Sequence, residues 1–221
     1  MDNLQLLPPG RVERVMKDDG KSFALKHLPR TPESLRELDI LRALQGHPNI
    51  IKLISDELSD QHLVICMEYH EQTLLDIVLQ YEEGMLLTRI MHIFSQLLSV
   101  LHHIHSSGYV HHDLKLDNIL IGVDDHVYLI DFGFAKAFTP SQLSLRWNNG
   151  SLHYAAPEIW LERACEGPEA DIWALGVCFF LMLTSFSHLV ELLQPRFGLR
   201  SNNVVYGRME YSSESRCCTI Y

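Results

Sequence analysis

Asp113, Lys115 and Asn118 fall within six residues, and a second carboxylate, Asp131, follows two short apolar runs, Ile119 to Ile121 and Val127 to Ile130. Two strands joined by the polar turn Gly122 to His126 would bring Asp131 back beside Asn118. An acid next to a carboxamide suits a hard divalent cation such as Mg2+, which takes oxygen ligands and reaches proteins largely through nucleotide phosphates. Asp113 is then left to act on a substrate hydroxyl. The chemistry these residue types allow at this spacing is metal-assisted phosphate transfer.

The elements that must hold those groups are readable on either side. The runs VERVM and SFALKHL flank Asp18-Asp19-Gly20 and predict a hairpin. Thr31-Pro32-Glu33 supplies an N-cap, a proline for the first helical position and an early acid, and Gly46 ends the pattern, so a helix lies between. Its apolar residues Leu35, Leu38, Leu41 and Leu44 place Glu37 on the border of the buried face. HPNIIKL and HLVICMEY read as two further strands, and Glu68 to Glu71 as a polar link between lobes. From Leu87 to His105 the positions Ile90, Ile93, Phe94, Leu97, Leu98, Leu101 and Ile104 keep helical spacing until Ser106-Ser107-Gly108. An irregular stretch from Gly133 to about Tyr154 is long enough to be a functional loop.

The chain has 221 residues, 47% of them hydrophobic, enough for a real core. Its 18 Lys and Arg stand against 28 Asp and Glu, a net charge of −10 that argues against a nucleic-acid partner. Five scattered cysteines, without a C-x-x-C pair, favour reduced thiols and a cytoplasmic or nuclear location. The opening MDNLQLLPPGRVER has no sustained apolar run, so no secretory signal is read there. Ile172 to Val190 lacks Asp, Glu, Lys and Arg, but Thr184, Ser185, Ser187 and His188 interrupt its second half. It is read as a helix buried at the centre of a domain, with no membrane partner. His102, His103, His105, His111 and His112 cluster without an accompanying ligand set and are not read as a zinc site.

Taken in order, the motifs resemble the eukaryotic protein kinase family over roughly Gly10 to Thr184. FALK around Lys26, Glu37, HHDLKLDN, the DFG at 131 to 133, AAPE ending at Glu158 and DIWALG from Asp171 to Gly176 carry the resemblance. Lys115 in DLK and Gly150-Ser151 ahead of the Tyr154 segment resemble the serine/threonine branch. The implied fold is α+β and two-lobed, with a small β-rich N-lobe at 1–69, an incomplete, mostly helical C-lobe at 70–184 and a divergent tail at 185–221. The implied reaction is transfer of the ATP γ-phosphate to Ser or Thr of protein substrates, with ATP and Mg2+ as cofactors. The alternative is a weak or inactive pseudokinase serving as a binding scaffold.

The resemblance also assigns roles. Lys26 would hold the α and β phosphates and pair with Glu37; Asp131 and Asn118 would bind Mg2+; Asp113 would deprotonate the acceptor hydroxyl. Lys115 would hold the transferring phosphoryl group and Ser151 would position substrate. Gly10 would belong to the phosphate loop, Val12, Ala24 and Leu120 would sandwich the adenine, Met67 would guard the back of the pocket and Glu68 would offer its carbonyl.

Three departures stand out. Gln5 and Leu7 occupy places where the family has glycines that let the backbone approach phosphate, which implies weaker nucleotide binding. His112 replaces the arginine that pairs with a phosphorylated loop. With an ordinary pKa of about 6.5 it carries only a fraction of a charge at neutral pH, so dependence on phosphorylation at Thr139, Ser141 or Ser144 should be weak. After MLTS at 182 to 185 the resemblance lapses. The helices that would cover IWALGVCFFLML and supply an arginine for Glu158 are not read in the sequence, leaving an exposed C-lobe surface for a regulatory protein partner.

Overall fold

The computed structural model describes residues 12–138, 151–160 and 167–193. Two strands, β1 (Val12–Met16) and β2 (Ser22–Pro29), pair antiparallel across a turn in which Gly20 has φ +80°. Helix α1 (Pro32–Ala43) starts at a capping box: Thr31 Oγ1 accepts from the Ser34 amide, and Ser34 Oγ accepts from the Thr31 amide. Strands β3 (Leu53–Leu58) and β4 (His62–Glu68) complete a four-stranded sheet of order β1-β2-β4-β3.

The expected strand in HPNIIKL is not formed; β3 begins only at Leu53 and continues to Leu58. Pro48 has no N–H to give a ladder, and the neighbouring backbone is committed elsewhere. Ile51 N donates to the Leu129 carbonyl at 3.1 Å, and Leu129 N donates to the Asn49 carbonyl at 2.8 Å. These residues bridge the sheet to the helical part of the chain instead of extending an edge.

Beyond β4 come β5 (Gln72–Thr73), the short α2 (Leu74–Val78) and the long α3 (Leu87–Ser106). The buried face of α3, made by Ile90, Ile93, Leu97, Val100, Leu101 and Ile104, follows the three- and four-residue steps of its sequence. Strands β6 (Tyr109–Val110), β7 (Ile119–Ile121), β8 (Val127–Leu129) and β9 (Lys136–Ala137) frame the loops in between. β7 pairs with β5 and β8, and β6 with β9. A single turn, α4 (Pro157–Trp160), precedes α5 (Gly167–Leu193). The architecture is α+β.

Helix α5 is long and apolar enough, over Gly167–Thr184, to cross a membrane. One side of it packs into the core. Ala174, Leu175, Cys178, Leu181 and Met182 are buried in the same cluster as the α3 face, and Phe179 meets Phe94 edge-on with ring centroids 5.0 Å apart. Met85 N donates to the Met182 carbonyl at 2.8 Å just where Gly84, at φ +91°, lies against the Leu183 carbonyl. The other side is less covered: Ile172, Trp173 and Leu183 are exposed. The helix continues past Thr184 into the segment expected to be a divergent tail; residues 194–221 lie outside the described residues.

Candidate active site

Opposed residues on antiparallel strands share a face, as do alternate residues along one strand. Val12 is opposite Lys26, Ala24 is two residues before Lys26, and Ala24 is opposite Met67, so all four belong to one face of the sheet. Val12 is exposed, whereas Met67 packs against the core. Leu120, on β7 opposite Tyr128 and Thr73, packs against the core from the helical part. Glu68 ends β4, and its amide donates to the Lys52 carbonyl at 3.1 Å. Gly10 lies outside the described residues.

Lys26 is the meeting point of three elements. Its Nζ lies 2.6 Å from Glu37 Oε1 on α1 and 2.8 Å from Asp131 Oδ1 in the loop after β8. Burial opposes charge on Lys26, but the Asp131 and Glu37 carboxylates outweigh it and hold the ammonium above its ordinary pKa. Burial opposes charge on Asp131 too, and Lys26 overrides it, keeping the carboxylate ionised. For Glu37 burial prevails, pushing its carboxyl up against the pull of Lys26. We take Lys26 and Asp131 as the firmly charged pair, with Glu37 the softer partner. Asp131 has φ +62°, and its Oδ1 also accepts from Gly133 N at 3.3 Å. A Cβ on Gly133 would sit 3.3 Å from both Asp131 Oδ1 and Glu37 Oε2, so a side chain there would crowd the cluster.

The second cluster centres on Asp113, which is buried. Asp113 Oδ2 lies 2.9 Å from Lys115 Nζ and accepts from Asn118 Nδ2 at 2.9 Å, while Oδ1 accepts from Ser151 N at 3.0 Å. Lys115 Nζ also donates to Ser151 Oγ at 3.0 Å. An ionised carboxylate offers about four acceptor directions. Three donors therefore leave capacity for a substrate hydroxyl.

Asn118 Nδ2 donates to the Asp113 carbonyl at 2.8 Å as well, which fixes the amide so that its oxygen is the atom suited to a cation. The β7–β8 pairing and a bond from Ile130 N to the Asn118 carbonyl, 3.0 Å, bring the Asp131 loop alongside. The donor set of one carboxylate and one carboxamide oxygen fits Mg2+. Among the described residues no cluster of three or more His, Cys, Asp or Glu forms a cage for a metal. Two protein ligands are what a cation carried by nucleotide phosphates requires.

Both clusters rest on a buried acid that the sequence reading passed over as the mere start of a helix. Asp171, on α5, accepts from His111 N and His112 N at 2.8 Å each and from His105 Nε2 at 2.9 Å. Burial would push its carboxyl up, but the His105 bond, His111 and the two amide bonds hold it below the usual carboxylate range. These bonds steady His112 in the left-handed region, φ +64°, one residue before Asp113. His111 adds a second tie: Nδ1 accepts from Asp113 N at 3.3 Å and Nε2 reaches the Ile130 carbonyl at 3.2 Å, with Phe132 packed edge-on. The signal in the sequence was an acid heading an otherwise apolar run. His112 itself is buried and its pKa is lowered to about 4 by burial, with Asp171 opposing and Lys136 and His111 assisting.

The protein kinase domain model matches residues 9–192, continuing beyond Thr184. The chain is 37% identical over 191 residues to a probable serine/threonine-protein kinase, the KIN1 homologue of Enterocytozoon bieneusi, covering 81% of this chain and 32% of that protein. It is 33% identical over 188 residues to sperm motility kinase Z of Mus musculus, covering 81% of this chain and 37% of the mouse protein. It is 34% identical over 174 residues to the probable serine/threonine-protein kinase MARK-A of Dictyostelium discoideum, covering 74% and 16%. The matched region thus spans between 16% and 37% of these relatives' length.

Proposed function

The chain belongs to the protein kinase family, and on that premise we propose that it transfers the ATP γ-phosphate to Ser or Thr hydroxyls of protein substrates. The observation that carries this reading is the placement of Asp113, Lys115, Asn118 and Ser151 in one hydrogen-bonded cluster. Asp113 accepts the proton of the acceptor hydroxyl. Lys115, shared between Asp113 and Ser151, places positive charge where the phosphoryl group passes. Lys26, held by Glu37, faces the α and β phosphates. Asp131 and Asn118 would hold Mg2+, which when bound would offset the negative charge of the phosphates. Val12, Ala24, Met67 and Leu120 supply apolar surface for the base, with the Glu68 carbonyl as its acceptor.

Incubating the pure chain with Mg-ATP and a generic protein acceptor, beside an Asp113→Asn control, tests the assignment. Phosphate incorporation by the wild type alone supports it, and equal signals reject catalysis by this site. The reading extends to a cytoplasmic or nuclear location, supported by the scattered cysteines of the sequence and by the free thiols of Cys66 and Cys178 among the described residues. A protein partner fits the exposed side of α5, where Ile172 and Trp173 are each about half exposed. A scaffold without catalysis remains the second reading, favoured by Gln5 and Leu7 at the phosphate loop.

A further inference from the structure

Residues 44–52 connect α1, and therefore Glu37, to β3, and polar contacts fasten them to the helical part. Asn49 is the hub: its Nδ2 donates to Gln96 Oε1 on α3 at 2.9 Å and to the Val127 carbonyl at 2.8 Å. Its backbone N–H donates to His47 Nδ1 at 3.2 Å. The His47 ring stacks on His103 of α3, with centroids 5.0 Å apart and 27° between planes, and its Nε2 lies 3.1 Å from Ser99 Oγ. His103 Nε2 donates to the Leu44 carbonyl, the C-cap of α1, at 3.2 Å. On the other side of the loop His126 Nε2 donates to the Pro48 carbonyl at 3.0 Å.

These bonds dictate protonation. A carbonyl can only accept, so His103 carries a proton on Nε2, and His126 does so in its shorter contact, to the Pro48 carbonyl at 3.0 Å rather than to Asn49 Nδ2 at 3.4 Å. Accepting the Asn49 N–H needs a lone pair on His47 Nδ1, so His47 is neutral with its proton on Nε2. A second proton would set two N–H groups against each other at Asn49 and place charge on a ring stacked upon another imidazole. Little nearby would offset that charge. Asp125, next to His126, is committed to Arg89 at 2.6 Å, and Asp124 is exposed. Glu68 lies beyond Tyr128, 3.5 Å from His70 Nε2, where the His70 ring stacks on Tyr128 and Tyr128 meets His126 edge-on. Burial, His103 and His126 accordingly hold His47 below the ordinary histidine range.

We propose that His47, stacked on His103 with His126 beside it, forms a proton-sensitive latch that holds the end of α1 to the helical part when His47 is neutral and releases Asn49 when His47 is protonated. Release lets α1 carry Glu37 away from Lys26, coupling the site to acidification through a two-state contact. The latch follows from the fold alone and does not depend on the chain being an active phosphotransferase.

Two substitutions keep the bonds to the Asn49 amide and the Leu44 carbonyl and remove the stacked rings. His47→Asn sets an amide oxygen near the Nδ1 position, and His103→Gln sets an amide nitrogen near Nε2. The experiment follows thermal unfolding midpoints of the full chain and of the double variant at pH 7.5 and 5.5, with backbone amide spectra of the wild type across the same range. The wild-type midpoint should fall by about 3 °C or more beyond the fall of the variant, and the Asn49 and Leu129 amides should shift with the His47 ring titration. His112 is present in both proteins, so its contribution cancels. Equal falls in the two proteins overturn the latch. Should the double variant not fold, the wild-type spectra decide: amides at Asn49 and Leu129 that stay still while His47 titrates overturn it as well.

Discussion

Lys26 Nζ lies 2.6 Å from Glu37 Oε1 and also 2.8 Å from Asp131 Oδ1, so one amine ties a strand, a helix and a loop together. Its loss would leave two carboxylates, Glu37 buried and Asp131 partly exposed, facing each other. Lys26→Met is therefore expected to reduce phosphorylation of a generic acceptor by about 10²- to 10³-fold, the range for removing one preorganised electrostatic group. Steady-state kinetics beside a melting curve check this. Activity within a few-fold of the wild type in a folded variant would show that Lys26 faces no reacting phosphate.

Asp113→Asn keeps the size of the side chain but gives up a proton acceptor. The loss in kcat should be about 10²- to 10⁴-fold, the usual contribution of a positioned general base. Nucleotide affinity, measured with a fluorescent ATP analogue, should stay near the wild-type value, because Asp113 bonds to Lys115, Asn118 and Ser151 within its own cluster. A parallel loss of nucleotide affinity would instead assign Asp113 to structural support.

Local signals served best where the physics was local. Thr31 and Pro32 marked the start of α1 because a cap acts within a few residues, and the α3 stripe was legible because burial follows helical periodicity. HPNIIKL misled for the opposite reason. Ile50 and Ile51 are buried, but its hydrogen bonds go to Leu129 across the fold, and no pattern within seven residues reports that. Asp171 was undervalued likewise, since its partners His105, His111 and His112 are some sixty residues away. Motif order supplied the long-range information that periodicity lacked: it paired Lys26 with Glu37, whereas the contact of Lys26 with Asp131, 105 residues away, is seen only in the fold.

His112 makes acid sensitivity calculable. Its pKa of about 4 in the folded chain lies below the unfolded value of about 6.5. Between those values the unfolded chain takes up a proton that the folded chain refuses. The neutral side chain thus contributes stability in full above about pH 6.5, and that stability is lost as pH falls toward about 4, by about 3 kcal/mol in total. His112→Asn does not titrate, and asparagine tolerates the left-handed backbone found here. Urea unfolding at pH 7 and 4.5 should show a smaller decline for the variant; identical declines would place the acid sensitivity elsewhere.

A neutral, buried His112 is a poor partner for phosphate at physiological pH. Alanine at Thr139, Ser141 or Ser144, all outside the described residues, should leave activity within a few-fold of the wild type. A collapse on losing any one of them would mean that a cation other than residue 112 reads a phosphate there.

Gly167 opens α5 where it meets β6, and a Cβ there would lie 2.6 Å from Val110 Cγ1. Val110 is fully buried and directly precedes His111, whose amide donates to Asp171. Gly167→Ala should therefore push Val110 and, through it, the backbone leading to Asp113. Overpacking of this kind costs about 1–3 kcal/mol, read as a lower unfolding midpoint, and a displaced Asp113 should lower activity alongside. The double variant Gly167→Ala, Val110→Ala makes room for the added methyl. A favourable coupling of about 1 kcal/mol or more between the two changes, with activity returning toward that of Val110→Ala alone, would locate the defect at this contact. Strict additivity would mean that the alanine at 167 acts elsewhere on α5.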